Sequence, residues 1–338
     1  MKHVKHVKRI PFMSGSILTS ILYICVFTVN AQIETPSHAA VASAHPVATE
    51  AGVEILTAGG NAFDAAIAVA STLAVVEPTG SGFGGGGFFL LHRARDARQV
   101  MIDARETAPA AASTGMYLDN SGMPRLDAST DGPLAAGIPG LAAGLVHLAA
   151  KYGRLPLTTS FTPAIRAARQ GFAVDERYTA MAAWRRAALN KSSDAARLYL
   201  REGAPPNVGT LLKQPDLANV LERLGQQGHD GFYRGHTAQQ LVDGVRHAGG
   251  IWTLEDLKSY RIIERDPVVG QYHNVRIVSA APPSAVGRLG AGRHKATCRD
   301  PCTLPEHSRP RVSPHRRAPP GTRWIRSRQP TLPLSRSL

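Results

Sequence analysis

The chain has 338 residues, with 39 Lys plus Arg against 25 Asp plus Glu, a formal net charge of +14 and three cysteines. That length allows one large or two ordinary domains with ample chain for a core, and so few cysteines exclude a disulfide scaffold and argue against a multi-zinc protein. The charge sits at the ends: residues 1–31 carry Lys2, Lys5, Lys8 and Arg9 with no acid, residues 286–338 carry eleven Arg and one Lys against Asp300 and Glu306, and residues 32–285 hold 23 basic and 23 acidic side chains. A basic balance points to a polyanion partner, but here it does not belong to the body, and no nucleic-acid partner is expected for it.

In chain order, residues 1–31 read as a signal peptide. A basic stretch to Arg9 precedes an apolar run over 10–29 and the small-residue pattern Val29-Asn30-Ala31, with cleavage predicted after Ala31. An uncleaved anchor is the alternative, since the run approaches the ~20 residues that span a bilayer; Ser14, Ser16, Thr19 and Ser20 argue against it. Tyr23 and Ile24 are too bulky for lipoprotein processing at Cys25. Either route delivers the body across the inner membrane, to the periplasm or the exterior. The absence of cysteine between Gln32 and Ser284 suits such an oxidising compartment.

The body, residues 32–285, alternates helical and extended patterns and is read as α/β. Val47, Ala48, Val53, Ile55 and Leu56 predict a helix from Pro46, closed by Gly59-Gly60. Asn61 takes an N-cap position before FDAAIAVASTLAVV, a helix apolar nearly all round and therefore buried at the centre, stopped by Pro78. FFLLH and VMIDA read as strands paired through a turn at 93–98. Pro139 opens a helix over LAAGLVHLAA, and further helices are predicted over 162–170, 175–188, 215–225 and 236–248. Thr253 and Asp256 form a capping pattern for a short helix to Tyr260, before two strands, PVVGQY and VRIVSA.

From Val286 the text changes: eight Pro, eleven Arg and eight Val, Ile or Leu show no structural period. Such a tail cannot bury enough apolar surface to offset its ordering entropy, and residues 286–338 are predicted to be disordered. His294, Cys298, Cys302 and His307 form an H-x3-C-x3-C-x4-H array that fits no common zinc module. An arginine-rich nucleic-acid arm is the other sharp reading, unsuited to an exported protein.

Two local features carry candidate chemistry. Gly82, Gly84 and Gly87 satisfy G-x-G-x-x-G, but a helix precedes the run and a strand follows it, the reverse of a dinucleotide site. The four glycines 84–87 instead allow positive φ angles and close approach of another segment. Arg105 follows the strand VMIDA between Asp103 and Glu106. An Arg at a strand end can hold a carboxylate bidentately, or it can form a surface ion pair with either neighbour. His92, His147, His229, His236, His247 and His273 show no metal-ligand spacing, so neither metal nor cofactor is implied.

Several segments together resemble the large subunit of γ-glutamyltransferase (glutathione hydrolase). They are HAAVASAHPVATEAGVEILTAGGNAFDAAIAV, EPTGSGFGGGGFFLLH, IDARETAPAAAS, GIPG, KYGRLPL, GFAVDER, GFYRG, GGIWTLEDL and VVGQYHNVRIVSAAPPS, in family order over residues 38–284. The resemblance implies an N-terminal-nucleophile hydrolase with an αββα sandwich, made as a precursor that cuts itself into large and small subunits. The freed N-terminal Thr of the small subunit attacks the γ-glutamyl amide with its own amine as base, and the acyl group passes to water or an amino acid. The donor is a γ-glutamyl peptide such as glutathione. The Arg of the D-x-R-E-x-A-P segment holds its α-carboxylate, and that Arg matches Arg105.

The pattern stops after Ser284. In the family, Ser-Gly-Gly, a helical region, the Thr-Thr-His processing site and the small subunit follow; here APPSAVGRLGAGRH departs. Thr158-Thr159-Ser160 lies inside the large-subunit pattern and is read as the start of a helix. No catalytic residue is therefore assigned. The joint change of resemblance, charge and periodicity suggests a frameshift near codon 285, which would leave a truncated, inactive and poorly folding chain that lacks its small subunit. Two further readings stand beside it. One is a non-catalytic pseudo-enzyme with a polyanion-binding basic tail; the other is an enzyme completed in trans.

Overall fold

The structure, a computed structural model, describes residues 39–284. The predicted signal peptide 1–31, the tail 286–338 and its His294–Cys298–Cys302–His307 array lie outside the described residues.

Helix α1 (Pro46–Thr57) starts with proline at its first position, and the His45 ring accepts from Val47 N at 3.2 Å. Helix α2 (Ala62–Val76) is capped in both directions: Asn61 Oδ1 accepts from Phe63 N and Asp64 N, and Asp64 Oδ2 accepts from Asn61 N. This reciprocal cap satisfies donors that a helix start otherwise leaves orphaned. Ile67, Ala68, Ser71 and Thr72 are fully buried, so α2 occupies the centre, as its apolar sequence predicts.

Strands β1 (Gly87–Arg93) and β2 (Arg98–Ala104) pair antiparallel, with Phe88 opposite Asp103 and Leu91 opposite Val100. A 3-10 turn over Ala94–Asp96 joins them, and Ala97 takes φ 51°. Then follow α3 (Leu141–Tyr152), α4 (Leu157–Gln170), β3 (Phe172–Ala173), α5 (Glu176–Leu189), α6 (Ser193–Tyr199), β4 (Leu211–Leu212), α7 (Pro215–Gln227), α8 (Asp230–Tyr233), α9 (Gly235–His247), α10 (Leu254–Ser259), β5 (Ile263–Arg265), β6 (Val268–Tyr272) and β7 (Val275–Ser279).

The main sheet has the order β1-β2-β5, with β5 antiparallel to β2; β3-β4 and β6-β7 form two-stranded antiparallel ribbons. β2 lies in the middle, and its Met101, Ile102 and Ala104 are fully buried. Helix α3 packs on β2 and on α2, while α2 packs on α1 and α4. The result is the mixed α/β body that the alternating pattern predicts. Among the described residues no helix is long and apolar enough to cross a membrane.

Two expectations need correction. The helix expected from residue 162 begins at Leu157, with Pro163 inside it. Proline removes one intrahelical bond, yet Ser160 and Phe161 of the first turns are fully buried, and that burial carries the helix past the usual breaker. The glycines at 82 and 84–87 are absent from the positive-φ residues; the run serves close approach alone. The β3-β4 and β5 pairings leave no mark in the sequence, because two- and three-residue strands show no period, and α6 is a two-turn helix with no buried residue to give it one.

Candidate functional site

The corner after β2 is built around Arg105. A Cβ on Gly86 would lie 2.2 Å from Ala104 O and 3.0 Å from Arg105 Cα, so the glycine run passes directly against the backbone that carries Arg105. Gly140 closes the other side: a Cβ there would meet Ala104 O at 2.2 Å and the Tyr260 hydroxyl oxygen at 2.1 Å. Gly140 N and Leu141 N both donate to Gly85 O at 3.0 Å, which ties the start of α3 to the glycine run. Beyond Arg105 the chain is held by a two-way bridge, Thr107 N to Ile138 O at 3.2 Å and Ile138 N to Thr107 O at 2.8 Å.

Arg105 itself is 60% exposed at its side chain. Its Nε lies 3.1 Å from Glu106 Oε2, and its guanidinium carbon stands 5.8 Å from the Phe88 ring centroid. Of the two carboxylates that flank it in sequence, only Glu106 pairs with it. Asp103, nearly buried, is taken by Arg265 Nε at 2.8 Å and accepts from Arg105 N at 3.1 Å. Tyr260 OH donates to Arg105 O at 2.7 Å. Burial first, and the nearby carboxylates of Asp103 and Glu106 second, push the Tyr260 phenol up, further from ionisation.

A second polar cluster lies where β5 meets α3. Glu264 accepts from His147 Nε2 and Tyr152 OH, each at 2.8 Å on Oε1, and from Lys151 Nζ at 2.6 Å on Oε2. Burial alone would raise the Glu264 carboxyl, but the three donors outweigh it and hold it at about 2. Sequence reasoning left His147 among the scattered histidines; no spacing signal connects residues this far apart. Among the described residues no group of three or more His, Cys, Asp or Glu is arranged to hold a metal ion.

Thr158, Thr159 and Ser160 form the first turn of α4, with the amides of Thr159 and Ser160 bonded to Pro156 O. A cavity of about 400 Å³ is lined by Pro78, Thr79, Tyr178, Met181, Trp184 and Arg185 among others. Arg105 is not among its lining residues.

The family model described as Gamma-glutamyltranspeptidase matches residues 48–291. The chain belongs to that family. It is 38% identical over 278 residues to the glutathione hydrolase proenzyme of Pseudomonas sp. strain A14, covering 81% of this chain and 48% of that protein. With the Escherichia coli K12 proenzyme it shares 39% identity over 248 residues, 73% of this chain and 43% of the other. The chain thus spans about half the length of the curated relatives it matches.

Among solved structures, Helicobacter pylori γ-glutamyltranspeptidase superposes with a TM-score of 0.73 at 38% identity, covering 75% of this chain and 73% of that one. The Pseudomonas nitroreducens enzyme complexed with L-DON gives 0.70 at 34% identity and 78% of each chain. The fold is therefore that of the γ-glutamyltranspeptidases, the N-terminal-nucleophile hydrolase type expected from the sequence. The resemblance read over residues 38–284 and the family match over residues 48–291 cover nearly the same stretch.

Proposed function

We propose that this γ-glutamyltranspeptidase chain serves the cleavage of a γ-glutamyl amide, as in glutathione, with transfer of the γ-glutamyl group to water, an amino acid or a peptide. In this reading Arg105 holds the donor's α-carboxylate. The supporting observation is its guanidinium: it projects, largely exposed, from a backbone packed against Gly86, with Glu106 as its ion-pair partner and Phe88 as its ring contact. A carboxylate arriving at its terminal N–H groups gains the planar, bidentate geometry that guanidinium offers.

No residue of 39–284 is assigned the attack. The nucleophile is proposed to be the N-terminal threonine of a small subunit, whose hydroxyl attacks the γ-carbonyl while its own amine takes the proton. The departing amine leaves protonated, and water or an acceptor amine then releases the acyl group. Residues 39–284 are thus proposed to hold the donor without turning it over, and no cofactor or metal enters the scheme. Export through residues 1–31, with a mature chain beginning at Gln32 in the periplasm or outside, belongs to the same proposal and is checked by the mass of the exported chain.

The experiment is hydrolysis of γ-glutamyl-p-nitroanilide by this chain alone and after mixing with a γ-glutamyltranspeptidase small subunit. Turnover only on mixing is expected, with Arg105→Met raising KM about 100-fold, the scale of one lost charge-assisted pair. Turnover by the chain alone, or an unchanged KM in the variant, overturns the proposal. A second reading, a non-catalytic protein binding polyanions through residues 286–338, draws on their twelve basic against two acidic side chains. Salt-independent retention on heparin would exclude it.

A further inference from the structure

Both backbone polar groups of Arg105 are held by side chains that are themselves out of solvent. Its N–H donates to Asp103 Oδ1 at 3.1 Å, and its C=O accepts from Tyr260 OH at 2.7 Å. Asp103 is 7% exposed and Tyr260 3%, whereas the Arg105 side chain is 60% exposed. A residue whose guanidinium served only a local ion pair would need no fixed peptide planes.

Apart from Asp103 itself, the holding groups come from one stretch of chain, residues 253–265. Asp256 on α10 accepts from Ala110 N at 2.8 Å through Oδ1, while its Oδ2 closes the cap with Thr253 N and Thr253 Oγ1. Tyr260 follows α10, and Arg265 on β5 fixes Asp103. Tyr260 is backed in turn: its ring stacks on Tyr233 at 5.5 Å and 8°, and Tyr233 stacks on His229 at 4.4 Å and 18°. Tyr233 OH donates to Pro139 O at 2.8 Å and accepts from Ala143 N at 3.1 Å, so the stack is anchored to the start of α3. The missing side chain at Gly140 leaves the space that the Tyr260 hydroxyl occupies.

We infer that Tyr260 is a positioning residue for Arg105, and that residues 253–265 act as a clamp fixing the Arg105–Ala110 backbone so that the guanidinium meets the donor's α-carboxylate in one orientation. The inference rests on the reading of Arg105 as the α-carboxylate contact. The clamp acts through the peptide, not through the ligand: Tyr260 makes its bond to the Arg105 carbonyl and Asp256 to the Ala110 amide. Holding a charged side chain at its root lowers the ordering cost of binding.

The test uses the full chain, with amide hydrogen exchange and titration with L-glutamate, which carries the α-carboxylate. Tyr260→Phe is expected to speed exchange at Arg105, Thr107 and Ala110 at least tenfold, leave α2 amides unchanged, and weaken glutamate about tenfold. Arg105→Met is expected to lose glutamate binding while the same amides stay slow. Unchanged exchange at those amides in Tyr260→Phe overturns the clamp. So does unchanged glutamate affinity in that variant when Arg105→Met has lost it. Glutamate affinity surviving Arg105→Met, or absent from the unaltered chain, defeats the reading of Arg105 instead and leaves the exchange result to decide the clamp. Should Tyr260→Phe also accelerate α2, the ratio of exchange at Arg105 to exchange at α2 decides: a larger acceleration at Arg105 supports the clamp, and an equal one overturns it.

Discussion

Arg265 places both Nε and Nη2 2.8 Å from one oxygen of Asp103, although 162 residues separate the two in sequence. Asp103 is 7% exposed and Arg265 35%, so the pair stands at the edge of the interior. Removing the cation leaves a nearly buried carboxylate with only the Arg105 amide as donor. Full burial of an orphaned charge costs roughly 3–5 kcal/mol, and the solvent reaching Arg265 reduces that. Arg265→Met is expected to destabilise the chain by about 2 kcal/mol, read from the urea midpoint; a loss below a few tenths of that would show that water replaces the guanidinium.

The glycine run offers an internal comparison. Gly86→Ala puts a methyl 2.2 Å from Ala104 O, a backbone atom that cannot step aside, whereas at Gly82 and Gly84 nothing lies within 4 Å of an added Cβ. Overpacking of this kind costs about 3 kcal/mol, and open surface positions stay within about 0.5 kcal/mol. Gly86→Ala is therefore expected to lower the melting temperature sharply while Gly82→Ala leaves it in place. Equal effects at both would mean that the corner is not packed as described.

Acid should loosen the junction of β5 and α3. Glu264 is held at about 2 against a reference of 4.5, through the bonds from Lys151, His147 and Tyr152. A carboxyl depressed in the folded state binds fewer protons there than when unfolded, so stability rises with pH through this window. Its contribution is complete above about pH 4.5 and disappears as pH falls toward 2. Glu264→Gln should flatten the pH dependence of the unfolding midpoint between those limits. A slope identical to that of the unaltered chain would assign the acid sensitivity to other groups.

Ser160 is fully buried, and its Oγ has no hydrogen-bond partner among the described residues. A hydroxyl desolvated without compensation opposes folding. Ser160→Ala is expected to leave stability unchanged or raise it by up to about 1 kcal/mol, measured by thermal unfolding. A clear loss would reveal a partner for the hydroxyl. The same result bears on Thr158-Thr159-Ser160 as an ordinary helix start.

The parts of this fold written in neighbouring residues were legible before any coordinates. Asn61 with Asp64 and Thr253 with Asp256 announce their helices because both partners of each cap lie within one turn. The β1-β2 pair shows itself through two apolar runs and a short turn. Arg105 stood out through the family pattern alone, since spacing favoured an ion pair with a neighbour, and the structure contains one, with Glu106. What fixes Arg105 was not legible. Tyr260 lies 155 positions away and Glu264 117 from His147; no local period encodes such meetings. The periodic pattern of α4 shows only from residue 162, while Thr158-Thr159-Ser160 already reads as the helix start; the helix runs from Leu157, with Ser160 and Phe161 fully buried.

The late arrival of β5 has a consequence for how the chain is made. β1 and β2 emerge from the ribosome together and can pair at once, but the far edge of β2 finds its partner only when Ile263–Arg265 appear. At about 5–20 residues per second, the 162 positions from Asp103 to Arg265 take roughly 10–30 s to synthesise. Throughout that interval β2 presents an apolar strand with one open edge, the arrangement that seeds association between nascent chains. Shielding of that edge while translation proceeds thus favours correct assembly.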